Sequence, residues 1–318
     1  MVLALTDFLL LSSAQMRAAA ILGLGCSPKN LKAFQTDESV QWQLGVPTDR
    51  DEVDVILLFG GDGTIHRHLG HLVKLGLPVL VVPAGSGNDF ARALGLRRIL
   101  DSLAAWKSFC RGGNNVREID LGVITAVGEA VEAPAPREQF SPQQYFCCVA
   151  GVGLDGEVAR RANGLPRWLR GNGGYVLSLA PAIFSFAPFP MKILAAIPGP
   201  SEPDVWTVRF QESALLAAFA NTPLYGGGMK VAPEARMDDG LLDVCVVGAL
   251  SAFRFFRLFP TVYSGRHLTI KEVKYFQDSR VRVETEPPLD VYADGEYVCQ
   301  TPVEIAVERA ALKVVTAI

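Results

Sequence analysis

Val53-Asp54-Val55-Ile56-Leu57-Leu58-Phe59-Gly60-Gly61-Asp62-Gly63-Thr64 is the stretch on which the fold turns. Its apolar run, 53–59, reads as a strand with both faces buried, and it stops at a Gly-rich turn from which a helical pattern, 65–74, continues. The same grammar recurs downstream. The run 77–82 (LPVLVV) ends in Pro83-Ala84-Gly85-Ser86-Gly87-Asn88-Asp89, and a helical pattern covers 89–94. Upstream, 18–24 (AAAILGL) predicts a first strand ending in Gly-rich sequence. Apolar strands separated by helices predict a parallel sheet, and ligands of such sheets sit beyond the carboxyl ends of the strands. Both Gly-rich loops fall there.

After Asp120 the character changes. Residues 126–142 (AVGEAVEAPAPREQFSP) read as a long turn or hairpin loop. Beyond them come β-type runs at 144–149, 191–197, 206–211, 215–220, 242–247, 280–284, 289–292 and 313–316, interrupted by helical stretches near 174–186 and 251–263. The 318 residues suffice for about two domains. The division expected is an uncertain extension over 1–15, an α/β nucleotide-binding domain over 16–122 and a β-sandwich over 123–318, whose last strand is free to return to the first domain.

Composition narrows the classes. Apolar residues make 49% of the chain and the net charge is −3, so no global basic field argues for nucleic acid as a partner. The cysteines at 26, 110, 147, 148, 245 and 299 form no CxxC pair and read as buried thiols of a reducing compartment. The apolar N-terminus lacks a basic n-region and is interrupted by Asp7, and no stretch reaches the ~20 apolar residues that span a bilayer. The expectation is a soluble, cytoplasmic protein.

Four stretches carry chemistry. In Gly60-Gly61-Asp62-Gly63-Thr64 the glycines permit positive φ and let backbone N–H groups approach a phosphate, the following helix points its positive end there, and Asp62 is available to a hydroxyl or a hydrated magnesium ion. A tight strand–helix turn without ligand is the bland alternative. The 83–89 loop shifts the balance, because Ser86 and Asn88 are able to donate to phosphate oxygens and Asp89 to cap the helix. No Walker A lysine and no GxGxxG with a distant acid is present. The third stretch, 221–243, contains Ala232-Pro233-Glu234-Ala235-Arg236-Met237-Asp238-Asp239-Gly240, whose acids suit either a hard cation or a plain Asp-Gly turn. The fourth, Ala293-Asp294-Gly295-Glu296, is locally an Asp-Gly hairpin, with Glu296 as a candidate general base.

In this order the four stretches resemble the diacylglycerol kinase catalytic-domain family, specifically bacterial soluble lipid kinases; 119–122 (IDLG) and 150–155 (AGVGLD) add to the match. The resemblance implies a fold similar to NAD kinase, with ATP on the α/β domain and the acceptor side on the β-sandwich. It implies phosphoryl transfer from ATP to the hydroxyl of diacylglycerol or a related lipid alcohol. By resemblance Gly61, Asp62, Gly63, Thr64 and Ser86 line the ATP phosphates, with Gly60, Gly85 and Asn88 as further parts of the two loops. Asp62 and Asp120 join an acidic network around catalytic Mg2+, Asp294 belongs with the catalytic acids, and Glu296 matches the proton acceptor. Structural magnesium is implied at 236–241, with the Asp239 carboxylate and the main-chain carbonyls of Leu241 and Arg236. Three departures stand out: Gly23-Leu24-Gly25-Cys26-Ser27-Pro28 replaces the family's Asn-Pro-x-x-Gly loop, the segment before Gly60 is short enough to lack a helix or strand, and His66-Arg67 replaces Asn-Glu. No nucleotide contact is carried over to Thr48.

A lipid acceptor needs an apolar entrance, for which 182–190 (AIFSFAPFP) and 253–263 (FRFFRLFPTVY) are candidates. The second suits peripheral contact with an anionic inner-membrane surface, although core-facing helices explain at least half of these side chains. A homodimer through unpaired edge strands fits the pattern. The spacing of His66, His68 and His71 supports no metal site. Alternatives are an NAD kinase-like or sphingoid/ceramide kinase, and a catalytically impaired nucleotide- or lipid-binding regulator. Asp62→Ala and Glu296→Ala are each expected to remove turnover without unfolding. The reading requires the two Gly-rich loops to lie side by side and face Glu296 across a cleft.

Overall fold

The computed structural model describes residues 15–128, 143–164, 181–184, 186–197 and 205–317. Strands β1 (Met16–Leu22), β2 (Val40–Leu44), β3 (Val55–Gly60) and β4 (Val79–Pro83) form a parallel layer in the order β2-β1-β3-β4. Every residue of β3 and β4 is buried, as their uninterrupted apolar sequences require. Helix α1 (Pro28–Leu31) joins β1 to β2 and helix α2 (Asp62–Leu75) joins β3 to β4, while α3 (Asp89–Ala93) and α4 (Ile99–Cys110) lead on from β4. Helix α2 buries Ile65, Leu69, Leu72 and Leu75 on one stripe, each such burial contributing ~1.5–3 kcal/mol, and ends where Gly76 turns left-handed at φ 62°.

The second half is built from β5 (Val116–Ala126), β6 (Gln143–Phe146), β7 (Val149–Gly153), α5 (Leu154–Gly164), β8 (Phe189–Ile197), β9 (Val205–Ala220), β10 (Leu242–Gly248), α6 (Ala252–Leu258), β11 (Val273–Asp278), β12 (Arg280–Thr285), β13 (Asp290–Ala293), β14 (Glu296–Gln300) and β15 (Val303–Val315). A separate core of Ile193, Phe219, Val244, Val281, Val283 and Val291 fills the space between its antiparallel strands. Strand β15 joins the halves. It pairs antiparallel with β12 and β5, and its end lies parallel to β4 through Val314 and Val79.

The three predicted Gly-loop strands and the return of the last strand are all present. The expected boundary at 122/123 lies within β5, which runs beside β15. Other expectations need correction. Runs 206–211 and 215–220 are one strand, β9, because the polar Glu212-Ser213 between them continues the pairing with β8. The 144–149 run divides into β6 and β7. The short segment before Gly60 still holds α1 and β2. The 251–263 helix is α-helical only to Leu258, since Pro260 removes a donor and a 3₁₀ turn (Phe259–Ser264) follows. Most of 126–142 and 174–186 lies outside the described residues, as does the N-terminal extension up to residue 14.

Candidate active site

The two Gly-rich loops touch backbone to backbone at the ends of β3 and β4. A Cβ on Gly85 would lie 2.5 Å from Gly61 Cα, and one on Gly61 would lie 2.8 Å from Gly85 Cα. The Ala84 N–H donates to Gly60 O at 3.0 Å. Gly60, Gly61, Gly63 and Gly85 all keep negative φ, so close approach, not left-handed backbone, is what demands glycine here. A Cβ on Gly60 or Gly23 would strike the Thr64 side chain, which is thereby packed between the ends of β1 and β3.

Polar groups lock the contact. The Asp62 carboxylate accepts the N–H groups of Asp89 and Phe90, each at 3.1 Å, so it caps α3 from the other loop. Asp89, expected as the cap, instead accepts the Gly227 N–H at 2.8 Å and pairs with Arg92. Asn88 sits at φ 55° and its amide closes the loop on Gly85, accepting its N–H and donating to its carbonyl. That amide is therefore engaged, whereas Ser86 is exposed in the cleft. Burial and then the charge of Asp89 push the Asp62 carboxyl up to about 6, with the N–H bonds from Phe90 and Asp89 opposing them.

Across the cleft stands the β13–β14 hairpin. Asp294 and Gly295 occupy its two turn positions at φ 50° and 85°, the conformation a two-residue Asp-Gly turn requires. The Asp294 side chain points inward and is fully buried. It accepts the N–H groups of Cys147 at 2.9 Å, Cys148 at 2.8 Å and Val149 at 3.3 Å, and meets His66 Nδ1 at 3.3 Å. Burial alone would raise its pKa. The His66 bond and charge, with the N–H donors, more than offset this and hold it below the usual carboxylate range. Asp294 thus anchors the hairpin. The same hairpin presents Glu296, whose Oε1 lies 2.9 Å from where a Gly63 Cβ would sit. A cleft of about 610 Å³ opens between the loops and the hairpin, with Leu24, Val149, Ala159 and Tyr292 contributing its apolar lining.

Asp120 is not part of that cleft lining. Its two carboxylate oxygens accept the N–H groups of Gly240 at 2.7 Å and Ala310 at 2.8 Å, and its own N–H donates to Met237 O. The structure therefore moves it from the phosphate network to the 236–241 loop. In that loop Asp239 accepts the Leu241 N–H at 3.0 Å, and the Arg236 side chain turns to Asp238, leaving only its carbonyl for a cation. The residues fit a divalent ion. Asp243, two positions on, bonds Tyr275 and Gln277 through Oδ1 while buried Oδ2 has no partner. Burial raises its pKa against the bonds from Tyr275 and Gln277, and the negative fields of Asp239 and Glu234 add to the rise.

Residues 148–316 match the YegS C-terminal NAD kinase beta sandwich-like domain, and 30–124 match the diacylglycerol kinase catalytic domain. A diacylglycerol kinase of Mycobacterium tuberculosis is 32% identical over 261 residues, covering 82% of this chain and 76% of that protein. This chain belongs to the diacylglycerol kinase family. A diacylglycerol kinase of Bacillus subtilis is 29% identical over 248 residues, 77% of this chain and 72% of the relative. A solved diacylglycerol kinase from Bacillus anthracis shares the fold with a TM-score of 0.61 at 18% identity, over 95% of this chain and 97% of that one.

Several contacts in and around this family member's cleft escaped sequence reasoning. His66 holds Asp294; the departure at 66–67 marked the position without giving its partner. Asp155, within the 150–155 segment, accepts from Tyr225 OH at 2.8 Å, and a Cβ on Gly151 would lie 1.9 Å from its Oδ2, so glycine is required there. Nothing in the sequence ties the N–H groups of 147–149 to Asp294. Thr48, given no role, bonds Glu52 away from the cleft. His71 Nε2 pairs with Pro47 O at 2.6 Å and His267 Nε2 with Val231 O at 3.0 Å.

Proposed function

We propose that this protein transfers the γ-phosphoryl group of ATP to the hydroxyl of diacylglycerol or a related lipid alcohol. Family membership makes it a phosphotransferase of the lipid-kinase class, and the finer assignment of the acceptor is our own. One observation carries it: Glu296 Oε1 stands against Gly63 in the first turn of α2, at a cleft that both Gly-rich loops line.

The backbone N–H groups of 61–63 and 86–87, with the positive end of the fourteen-residue helix α2, hold the phosphates. Ser86 donates from the neighbouring loop. Glu296 takes the proton of the acceptor hydroxyl as its oxygen attacks, and Asp294 fixes Glu296 through the hairpin. Bound magnesium supplies charge neutralisation and shape. The Asp239 carboxylate with the carbonyls of Arg236 and Leu241 would hold a structural ion, which steadies the loop that Asp120 grips. Asp62 is the acid of the first Gly-rich loop, and its elevated pKa marks a carboxylate that a nucleotide-borne cation would relieve.

The acceptor reaches the cleft from a membrane surface. Phe253 and Phe184 are 81% and 75% exposed on an apolar cluster that packs against α5, whose Ala159 lines the cleft. Arg254, Arg257, Arg266, Lys271 and Lys274 follow Phe253 in sequence, with Glu272, which pairs with Arg254, as the lone acid of 250–274, a local balance suited to anionic lipid.

The test is radiolabelled ATP with diacylglycerol, monoacylglycerol, phosphatidylglycerol, sphingosine and NAD, using wild type and Glu296→Gln. Label is expected in a lipid alcohol, with turnover falling by ~10²–10⁴-fold in the variant and ATP binding retained. Label in NAD alone overturns the lipid acceptor, and near-wild-type turnover by Glu296→Gln overturns the role of the base.

A further inference from the structure

The charge of the cleft is lopsided. Asp62, Asp89, Asp155, Asp294 and Glu296 line it, and Arg67 is the one Lys or Arg that does so among the described residues. Most of these acids have protein partners: Asp89 has Arg92 and the Gly227 N–H, Asp155 has Tyr225, Asp294 has His66 and three backbone donors, and Asp62 caps α3. Arg67 is exposed and forms no hydrogen bond or ion pair among the described residues. A polyphosphate entering this cleft meets a net negative wall, and among the described residues the guanidinium is the one Lys or Arg group available to it there.

Its placement is specific. Arg67 lies four residues after Gly63 on α2, hence on the same helix face about 6 Å along the axis. Helical side chains lean toward the N-terminus of their helix. That lean and its place in the cleft lining put Arg67 on the side of the turn that Glu296 Oε1 approaches from the other wall. A planar fork of donors suits phosphate oxygens, and an arginine at this position stabilises charge that builds up during transfer.

Resting on the phosphoryl-transfer reading above, we propose that Arg67 clamps the γ-phosphoryl group beside Glu296 during its transfer. As the acceptor oxygen forms its bond to the γ-phosphorus, the bond from that phosphorus to the β–γ bridging oxygen breaks. ADP leaves with the bond electrons, and the hydroxyl proton passes to Glu296. Arg67 donates to the equatorial oxygens throughout and keeps all its protons.

The experiment compares wild type, Arg67→Gln and Arg67→Lys by steady-state kinetics on diacylglycerol-containing vesicles, with ADP binding measured separately. Arg67 is exposed and unpaired, so both variants are expected to fold, and circular dichroism checks this. Arg67→Gln is expected to lower kcat by ~10²–10³-fold with ADP affinity and lipid KM within about 2-fold of wild type, and Arg67→Lys to recover part of the loss. An unchanged kcat overturns the proposal. So does an effect confined to lipid KM, which would place Arg67 on the acceptor headgroup, or an equal loss of ADP affinity, which would place it on the inner phosphates. A wild-type protein that labels no lipid alcohol defeats the functional reading itself and this assignment with it. An active wild type alongside an equally active Arg67→Gln defeats only the clamp.

Discussion

Replacing Asp62 by Asn tests the electrostatics of the cleft directly. The carboxyl is carried from its ordinary 3.8 to about 6 by burial and by Asp89, a penalty on the charged form of about 3 kcal/mol, trimmed by whatever solvent reaches it through the cleft. The folded protein therefore binds this proton more tightly than the unfolded chain does. Its contribution to stability is complete below pH 3.8 and is lost as pH rises through 6. Asn has no such titration. It keeps one acceptor oxygen, so one of the N–H groups of Asp89 and Phe90 loses its partner, at about 1–3 kcal/mol independent of pH. Urea denaturation of both proteins without divalent cations is then expected to show the stability of Asp62→Asn relative to wild type rising by roughly 2 kcal/mol between pH 4 and pH 8. Turnover of Asp62→Asn should be lost over the same range. A relative stability that stays flat, or that falls with pH, refutes the picture of a strained carboxylate. The Ala variant is a poorer probe than the sequence reading supposed, because it removes both acceptors from the N-terminus of α3 and destabilises the loop for a reason unrelated to catalysis.

Gly85→Ala puts a methyl group 2.5 Å from Gly61 Cα, so the loops must part; a loss of ~1–3 kcal/mol in thermal stability together with weakened ATP binding is expected, and unchanged values of both would contradict the backbone contact. Chelating magnesium should lower the Tm of the wild-type protein, whereas Asp243→Asn, which neutralises the buried orphan carboxylate beside the 236–241 loop, should show a smaller response to chelation. An Asp243→Asn protein that responds as strongly as wild type would remove Asp243 from the cation's surroundings.

The sheet of the first half was legible because strands buried on both faces leave uninterrupted apolar runs, and 53–59 and 77–82 are such runs. Strands of the second half were legible where one face is apolar, but β2 and β11 carry Gln, Lys and Asp among their strand-formers and gave no comparable signal. The long β15 was read only at its end, 313–316, since its exposed middle lacks alternation, and β5 was not read as a strand. At the site, the Gly-rich loops and the Asp-Gly hairpin were visible as local turn chemistry. The reasons for their glycines were not: loop contact at Gly61 and Gly85 involves residues twenty-four positions apart, and nothing local records it.

From the sequence alone follow the parallel sheet, the position of both loops at strand ends, the hairpin turn at 294–295 and the identity of the acids available for chemistry. These depend on hydrophobic periodicity and turn preference, which act over a few neighbouring residues. Only the tertiary structure assigns the acids their duties. Asp62 caps a helix in the other loop, Asp294 anchors a hairpin through backbone groups 145–147 positions away, and Asp120 braces the 236–241 loop. A carboxylate's partners, burial and pKa are set by whatever the fold brings within about 3 Å, and that distance has no counterpart along the chain.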